Sequence, residues 1–325
     1  MTNVSSSVLP GRLQHFPVAW FSVVMGLAGL TNAWSRAEEI LEFQFRISTG
    51  LLGLTATVLM IVTALYGSKS IRYPREVLAE FRHPVKIAFV PTFSISLLLM
   101  SIALLHTAVQ ASYWLWVFGT ALHLAITLYV VSSWIHHTHY ETVHLNPAWF
   151  IPAVGNILVP IAGVSHAPAD VSWFFFSLGL FFWPVLTALV FNRLLFHGRL
   201  PDRMLPTLFI LIAPPAVGFI SWIALGGELD KFAKVLYFVA LAFTLLLMAQ
   251  VSYFTRLPFF LSWWAYSFPI AAITIATLLM AKITGSGFYA LLGALFLCLL
   301  TVVVAGLVIR TTLAIARREI CLEGH

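Results

Sequence analysis

Residues 205–222 read LPTLFILIAPPAVGFISW. The stretch opens on a proline, Pro206, and carries a proline pair, Pro214 and Pro215, in its middle. It is also apolar over about the 20 residues that a helix needs to cross a bilayer. An interior proline removes a backbone hydrogen bond and kinks a helix. In lipid such a break exposes polar backbone at several kcal/mol, so it is tolerable only where it faces protein or water. The same design recurs in HPVKIAFVPTFSISLLL (83–99), NPAWFIPAVGNILVPIAG (146–163) and LPFFLSWWAYSFPIAAITIA (257–276). Opening prolines stand at Pro17, Pro84, Pro147, Pro206 and Pro258, where a missing N–H costs a helix nothing. They fall at an even beat of about 60 residues, and one plain apolar stretch fits after each, which is the pattern of an internal repeat of five two-helix units.

Composition agrees with a membrane chain. Hydrophobic residues make up 60% of it, charged residues 9%, and the mean hydropathy is +0.94, whereas soluble domains carry about 25% charged residues. The apolar runs predict ten spans at 15–34, 46–67, 84–106, 112–135, 147–165, 171–195, 204–226, 231–254, 260–282 and 287–310. The expected fold is therefore an all-α integral membrane protein, ten transmembrane helices forming five hairpins in a quasi-fivefold ring around a central pore. A single domain, 15–310, lies between short tails at 1–14 and 311–325. Broken odd spans belong inside, with Pro91, Pro152, Pro214, Pro215 and Pro269 as pore kinks, while the even spans, which hold only Pro184, face lipid. The plainer alternative is ordinary kinks packed in protein.

Thirteen Lys and Arg fall on the side that holds both termini and five on the other, which places both termini in the cytoplasm. That bias is explained by insertion alone, and it is compatible with concentrating anions at the inner rim. No Asp or Glu lies within any span as drawn, and the cations lie near span ends. His123 is the one imidazole near a span centre, on an even helix, where a structural role is the simpler reading. Without an intramembrane carboxylate, coupled transport and cation conduction are both disfavoured. A neutral pore lined by hydroxyls from Ser22, Thr92, Ser94, Ser221 and Ser267 would hold anions weakly, and weak holding permits exit. Preference among anions would then follow dehydration.

At these residues the chain resembles the family of bacterial TehA and the plant guard-cell slow anion channels, the tellurite-resistance/dicarboxylate transporter family. The resemblance runs from about Pro17 to Arg310. It rests on HPVKIAF, NPAWFIPAV, LIAPPAVGFISWIALGGELDKFAKVLYF and WWAYSF taken together. It implies ten helices around one pore per subunit, a homotrimer, and a pore plugged by a phenylalanine of the ninth helix. WWAYSF places that plug at Phe268, with Met25 and Val217 packed against it. From the residues alone, Phe268 is one of 27 phenylalanines. Two departures from the family pattern are Val23 and Val24, where a second proline is common, and Pro269 directly after the plug.

Other features have plainer readings. His136, His137, His139 and His144, with Glu141, have spacing that a metal could use, but an interfacial loop suffices and no metal is expected. The basic run from Lys69 to Lys86 fits either topology or anionic headgroups. Trp114, Trp116, Trp263 and Trp264 read as interface belts. Cys298 and Cys321 suggest no disulfide. Nucleotide loops, catalytic triads and zinc motifs are missing, so an enzyme, a cofactor and nucleic acid are not expected. The expected function is passive conduction of small inorganic or organic anions across a bacterial inner (cell) membrane. The alternative is a secondary transporter for C4-dicarboxylates or an exporter of toxic oxyanions such as tellurite.

Overall fold

Ten apolar segments follow one another: α1 (Val18–Ile40), α2 (Ile47–Arg72), α3 (Lys86–Leu104), α4 (Val109–His136), α5 (Pro147–Gly163), α6 (Ala169–Phe196), α7 (Asp202–Ala224), α8 (Lys231–Ala249), α9 (Leu261–Thr284) and α10 (Gly287–Ala316). The structure, a computed structural model, describes residues 11–43, 45–137 and 140–321. Among the described residues, nine of the ten segments are long and apolar enough to cross a membrane, and α5 is the shorter one. The protein is thus an all-helical membrane protein. Helices overrun the apolar spans that hydropathy marks. α1 continues to Ile40 and so includes Glu38 and Glu39 in its last turns, α2 includes Lys69, and α10 runs to Ala316, into the stretch read as tail.

The odd segments share an internal construction that differs from the expected kink. Each begins as a tight 3-10 helix and continues as an α-helix. In α1 the change falls between Val18–Trp20 and Phe21–Ile40, in α3 between Lys86–Phe89 and Thr92–Leu104. In α7 it falls between Asp202–Ile212 and Ala213–Ala224, in α9 between Leu261–Tyr266 and Ser267–Thr284. α5 is broken further, into Phe150–Val154, Gly155–Leu158 and Pro160–Gly163 plus its opening 3-10 turn. Pro91 is the cap of the α part of α3; Pro214 and Pro215 lie in its first turn in α7, Pro269 in α9. Pro152 likewise lies in the first turn of Phe150–Val154. These prolines therefore occupy helix starts, where no i−4 bond is lost, and they are not mid-helix kinks. α1 makes the same 3-10 to α change without a proline, so proline accompanies the junction but is not required for it.

Burial divides the two classes. In α1, α3, α7 and α9, 67% to 78% of the apolar window is buried; in the even helices only 17% to 39% is. Packing contacts join α1 to α3, α3 to α5, α5 to α7, α7 to α9, and α9 back to α1. Each even helix packs on the odd segment that precedes it. The even helices are mostly unbroken rods, 26 residues in α2 and 30 in α10, which satisfy their own backbone in lipid.

Carbonyls of the broken α5 accept from side chains on its neighbours. Thr127 Oγ1 of α4 donates to Pro152 O at 2.7 Å, Trp116 Nε1 donates to Val159 O at 3.0 Å, and Ser221 Oγ of α7 donates to Ile157 O at 2.5 Å. His123 is fully buried in the same junction, its Nδ1 2.9 Å from Ser94 Oγ of α3; it is a structural histidine. A buried ion pair fixes the surface helix Pro74–Arg82: Lys69 Nζ meets Glu80 Oε1 at 2.7 Å and also donates to Phe16 O at 2.9 Å, while Tyr66 donates to Glu80 Oε2 at 2.8 Å. With its hydrogen-bonding capacity filled from both sides, the pair meets the condition under which buried charge is tolerated.

One sequence expectation is corrected by packing. Of the four belt tryptophans only Trp114 is exposed; Trp116 is buried on Val159 O, and Trp264 is buried with its indole N–H donating to Thr311 Oγ1 at 3.0 Å. His144 is used locally, its Nδ1 accepting from the Glu141 N–H at 3.1 Å. His139 lies outside the described residues, and among those described no three His, Cys, Asp or Glu come together as a metal site. Cys298 and Cys321 are free thiols.

Candidate functional site

Two cavities lie among the odd segments. The first, about 290 Å³, is lined by residues of all five, including Ser22 and Met25 of α1, Ile95 of α3, Val154 of α5, Pro214 of α7 and Pro269 of α9. The second, about 110 Å³, is lined by Asn32 and Arg36 of α1, Leu99 and Ile102 of α3, Ile161 of α5, Ile220 of α7 and Ile275 of α9. Three residues line both: Leu158, Val217 and Phe268. The partition between the cavities is therefore wholly apolar. Phe268, expected as the plug, and Val217, expected beside it, stand in that partition; Met25 lines the first cavity only. Leu158 has no sequence signal that singles it out.

The Phe268 ring is placed by how closely α1 and α9 approach. A methyl group added at Gly29 would lie 2.9 Å from the Ala271 Cβ and 3.7 Å from Phe268 Cδ2; one at Gly26 would lie 2.3 Å from Ser267 Oγ. Small residues at these two positions let the helix carrying Phe268 lie directly on α1, the way helices associate in membranes. Ser267 and Pro269 flanking the ring are buried, whereas Phe268 itself is half-buried, with free space on both sides.

The polar lining is sparser than the sequence suggests. Ser22 and Thr92 line the first cavity, but Ser94, Ser221 and Ser267 line neither. Four donate to backbone carbonyls, Ser22 to Ala19, Thr92 to Phe89, Ser221 to Ile157 and Ser267 to Trp264, and Ser94 lies 2.9 Å from both Pro91 O and His123 Nδ1. A hydroxyl has one donor, and beside a 3-10 break the nearest acceptor is backbone. Of the five prolines expected as pore kinks, only Pro214 and Pro269 border the first cavity.

Charge is confined to the mouths. Lys86 and Arg203, with Glu80 and Glu319, line the first cavity, and the Arg203 guanidinium lies 5.5 Å from the Phe260 ring centre. Arg36, Glu39 and His106 line the second. Between these groups the lining is mostly apolar, with Ser22, Thr92 and Asn32 as exceptions: two compartments with cations at their far ends and an aromatic ring between them can exclude or admit an anion. The family model described as voltage-dependent anion channel, SLAC1, matches residues 15–312.

The chain belongs to this family. Among curated relatives of the SLAC1 family, an S-type anion channel of Arabidopsis thaliana, SLAH2, is 27% identical over 82% of this chain and 53% of its own length. An uncharacterized transporter of Methanocaldococcus jannaschii is 27% identical over 84% of this chain and 87% of its own. The tellurite resistance protein TehA homolog of Haemophilus influenzae is 24% identical over 79% of each. The chain thus spans about half the length of the plant relatives and most of the length of the microbial ones.

Proposed function

We propose that this member of the SLAC1 family conducts small anions passively along the axis enclosed by its odd helices, and that the Phe268 ring is the gate. What carries the reading is the apolar partition of Leu158, Val217 and Phe268 between two cavities that each have a cation at the mouth. An anion meeting that partition must shed water with nothing to replace it, which blocks conduction. With the ring displaced or removed, the two cavities would become one passage. No fixed charge binds the ion midway, so permeability should follow dehydration, with iodide and nitrate at least as permeant as chloride. In this reading the protein is a homotrimer with a pore in each chain, set in the cell membrane with both termini cytoplasmic, and it is not an enzyme.

Planar-bilayer recordings test it. Phe268→Ala should raise anion current many-fold, with reversal at the anion Nernst potential and no shift when a pH gradient is imposed. A reversal potential that follows the pH gradient would instead favour coupled transport of a dicarboxylate or oxyanion. Unchanged current in a folded Phe268→Ala protein would remove Phe268 from the gate.

A further inference from the structure

The second cavity has a feature that the gate does not use. Glu39, at the end of α1, stands between two cations: its Oε2 is 2.8 Å from Arg36 Nη1 and its Oε1 is 2.5 Å from Lys282 Nζ of α9. Arg36 and Glu39 both line the cavity, beside Ser35, His106 and Asn32. The neighbouring Glu38 is committed elsewhere, accepting from the Ser48 N–H at 2.7 Å and the Ser48 hydroxyl at 2.5 Å. Glu39 has no such backbone anchor. The three side chains of its cluster are between one third and about one half exposed, so water screens the pairs and each is weak enough to exchange.

We propose that Glu39 is a tethered anion at this mouth, occupying Arg36 and Lys282 until a permeant ion displaces it, and that it thereby limits the supply of anions to the passage. The inference rests on the pore reading above. Its chemistry is simple exchange: a small monovalent anion takes the hydrogen-bond donors of the Arg36 guanidinium and Lys282 ammonium, and the Glu39 carboxylate swings into water. The cluster of Arg36, Glu39 and Lys282 carries one net positive charge, where the two cations alone would carry two. At the other mouth Glu80 is held by buried Lys69 and by Tyr66, so it cannot exchange in the same manner. Of the two glutamates paired with a lysine, Glu80 is buried in its pair and Glu39 is not, so the exchangeable pair lies at the Arg36 end.

At a separation of about 8 Å, removing one unit negative charge raises the local anion concentration about twofold in water at low salt. The gain fades as the screening length shrinks to about 3 Å near 1 M salt. The test uses the full chain carrying Phe268→Ala, recorded in neutral-lipid bilayers with chloride as the probe. With about 20 mM salt, Glu39→Gln should about double the current carried by chloride entering from the Arg36 side, leave entry from the Lys86 side unchanged, and lose its effect at 1 M salt. Arg36→Gln should lower the same current, and the Arg36→Gln/Glu39→Gln pair, which restores the net charge, should return it close to the starting value. A Glu39→Gln gain that persists at 1 M salt, that is equal from both sides, or that is missing at low salt overturns the proposal while leaving the pore reading intact. Absence of any chloride current in Phe268→Ala overturns the pore reading and this inference with it.

Discussion

Thr127→Val tests how this fold keeps a broken helix in lipid. Thr127 is buried on α4, and its hydroxyl serves α5 twice: Oγ1 lies 2.7 Å from Pro152 O, sharing its one proton with His123 O of its own helix at 2.8 Å, and it accepts from Asn156 Nδ2 at 3.0 Å. Valine has nearly the same shape, so no cavity opens, and the change isolates polarity. The substitution orphans one carbonyl and one amide hydrogen where water is excluded; Asn156 keeps only its bond to Ala153 O. Its Oδ1 already lacks a hydrogen-bond partner. Side-chain bonds between membrane helices average about 0.6 kcal/mol and reach about 1.7, while a stranded buried group costs about 1–3 kcal/mol. A break has no helical partner to fall back on, so each loss belongs near the top of the first range, and the total should be about 2–3 kcal/mol. Reversible unfolding in mixed micelles would measure it. Thr57→Val is the control: Thr57 faces outward on α2 and donates only to Gly53 O of its own helix, so it should change stability by less than about 0.5 kcal/mol. If Thr127→Val costs no more than Thr57→Val, the outer helices do not seal the α5 break, and the broken segment must hold its shape by some other means.

Gly29→Ala should destabilise by about 1–3 kcal/mol, because its Cβ would sit 2.9 Å from the Ala271 Cβ and α1 and α9 would have to part; the same unfolding assay reads it, and a neutral result would show that the ring's seat is soft. Phe268→Ala should cost little, well below the ~3–5 kcal/mol of a core phenylalanine, because the ring borders open space on both sides; a core-sized loss would mean that it is packed and not a gate. In a chain whose Cys321, itself on the first cavity, is replaced by Ser, Val154→Cys should react with a charged thiol reagent and Phe181→Cys, on the exposed face of α6, should not; the reverse result would place the aqueous path outside the odd helices. His83 Nδ1 accepts from the Val85 and Lys86 N–H groups at the start of α3, and burial, with Lys86 and His144 nearby, holds its pKa below the usual histidine value. A base whose pKa is lowered on folding binds more protons when unfolded, so stability should fall as pH drops through about 6.5. His83→Asn should flatten that slope; an unchanged slope assigns it to other groups.

Much of this architecture is written in the placement of proline, and the limits of that writing are physical. A proline at one phase of each repeat marks a place where regular α-helix cannot simply continue, and in lipid that place must turn inward. So Pro91, Pro152, Pro214, Pro215 and Pro269 foretell four of the five buried segments, α1 having none, and Pro184 in the outer α6 shows that one proline alone does not decide. They do not reveal the form of the break. Proline is compatible with the first turn of a new helix as well as with a kink, and only the preceding 3-10 turn, which α1 makes without proline, separates the two. The hydroxyls misled for a related reason. Their positions beside the breaks are real, but a break supplies carbonyls nearer than any ion: Ser94 and Ser267 bond carbonyls three residues back in their own segments, and Ser221 bonds Ile157 O across to α5. Trp116 and Trp264 were misread because indole suits an interface belt and a buried carbonyl or hydroxyl equally well, and only the partner decides. Phe268 could be reached through the resemblance of WWAYSF; Leu158 could not, since a leucine among apolar residues carries no sign of where the passage narrows. That narrowing belongs to no single repeat. In the proposed passage it would lie where side chains of α5, α7 and α9 border both cavities, which is why a pattern read along the chain finds the cavity walls before it finds the residues the cavities share.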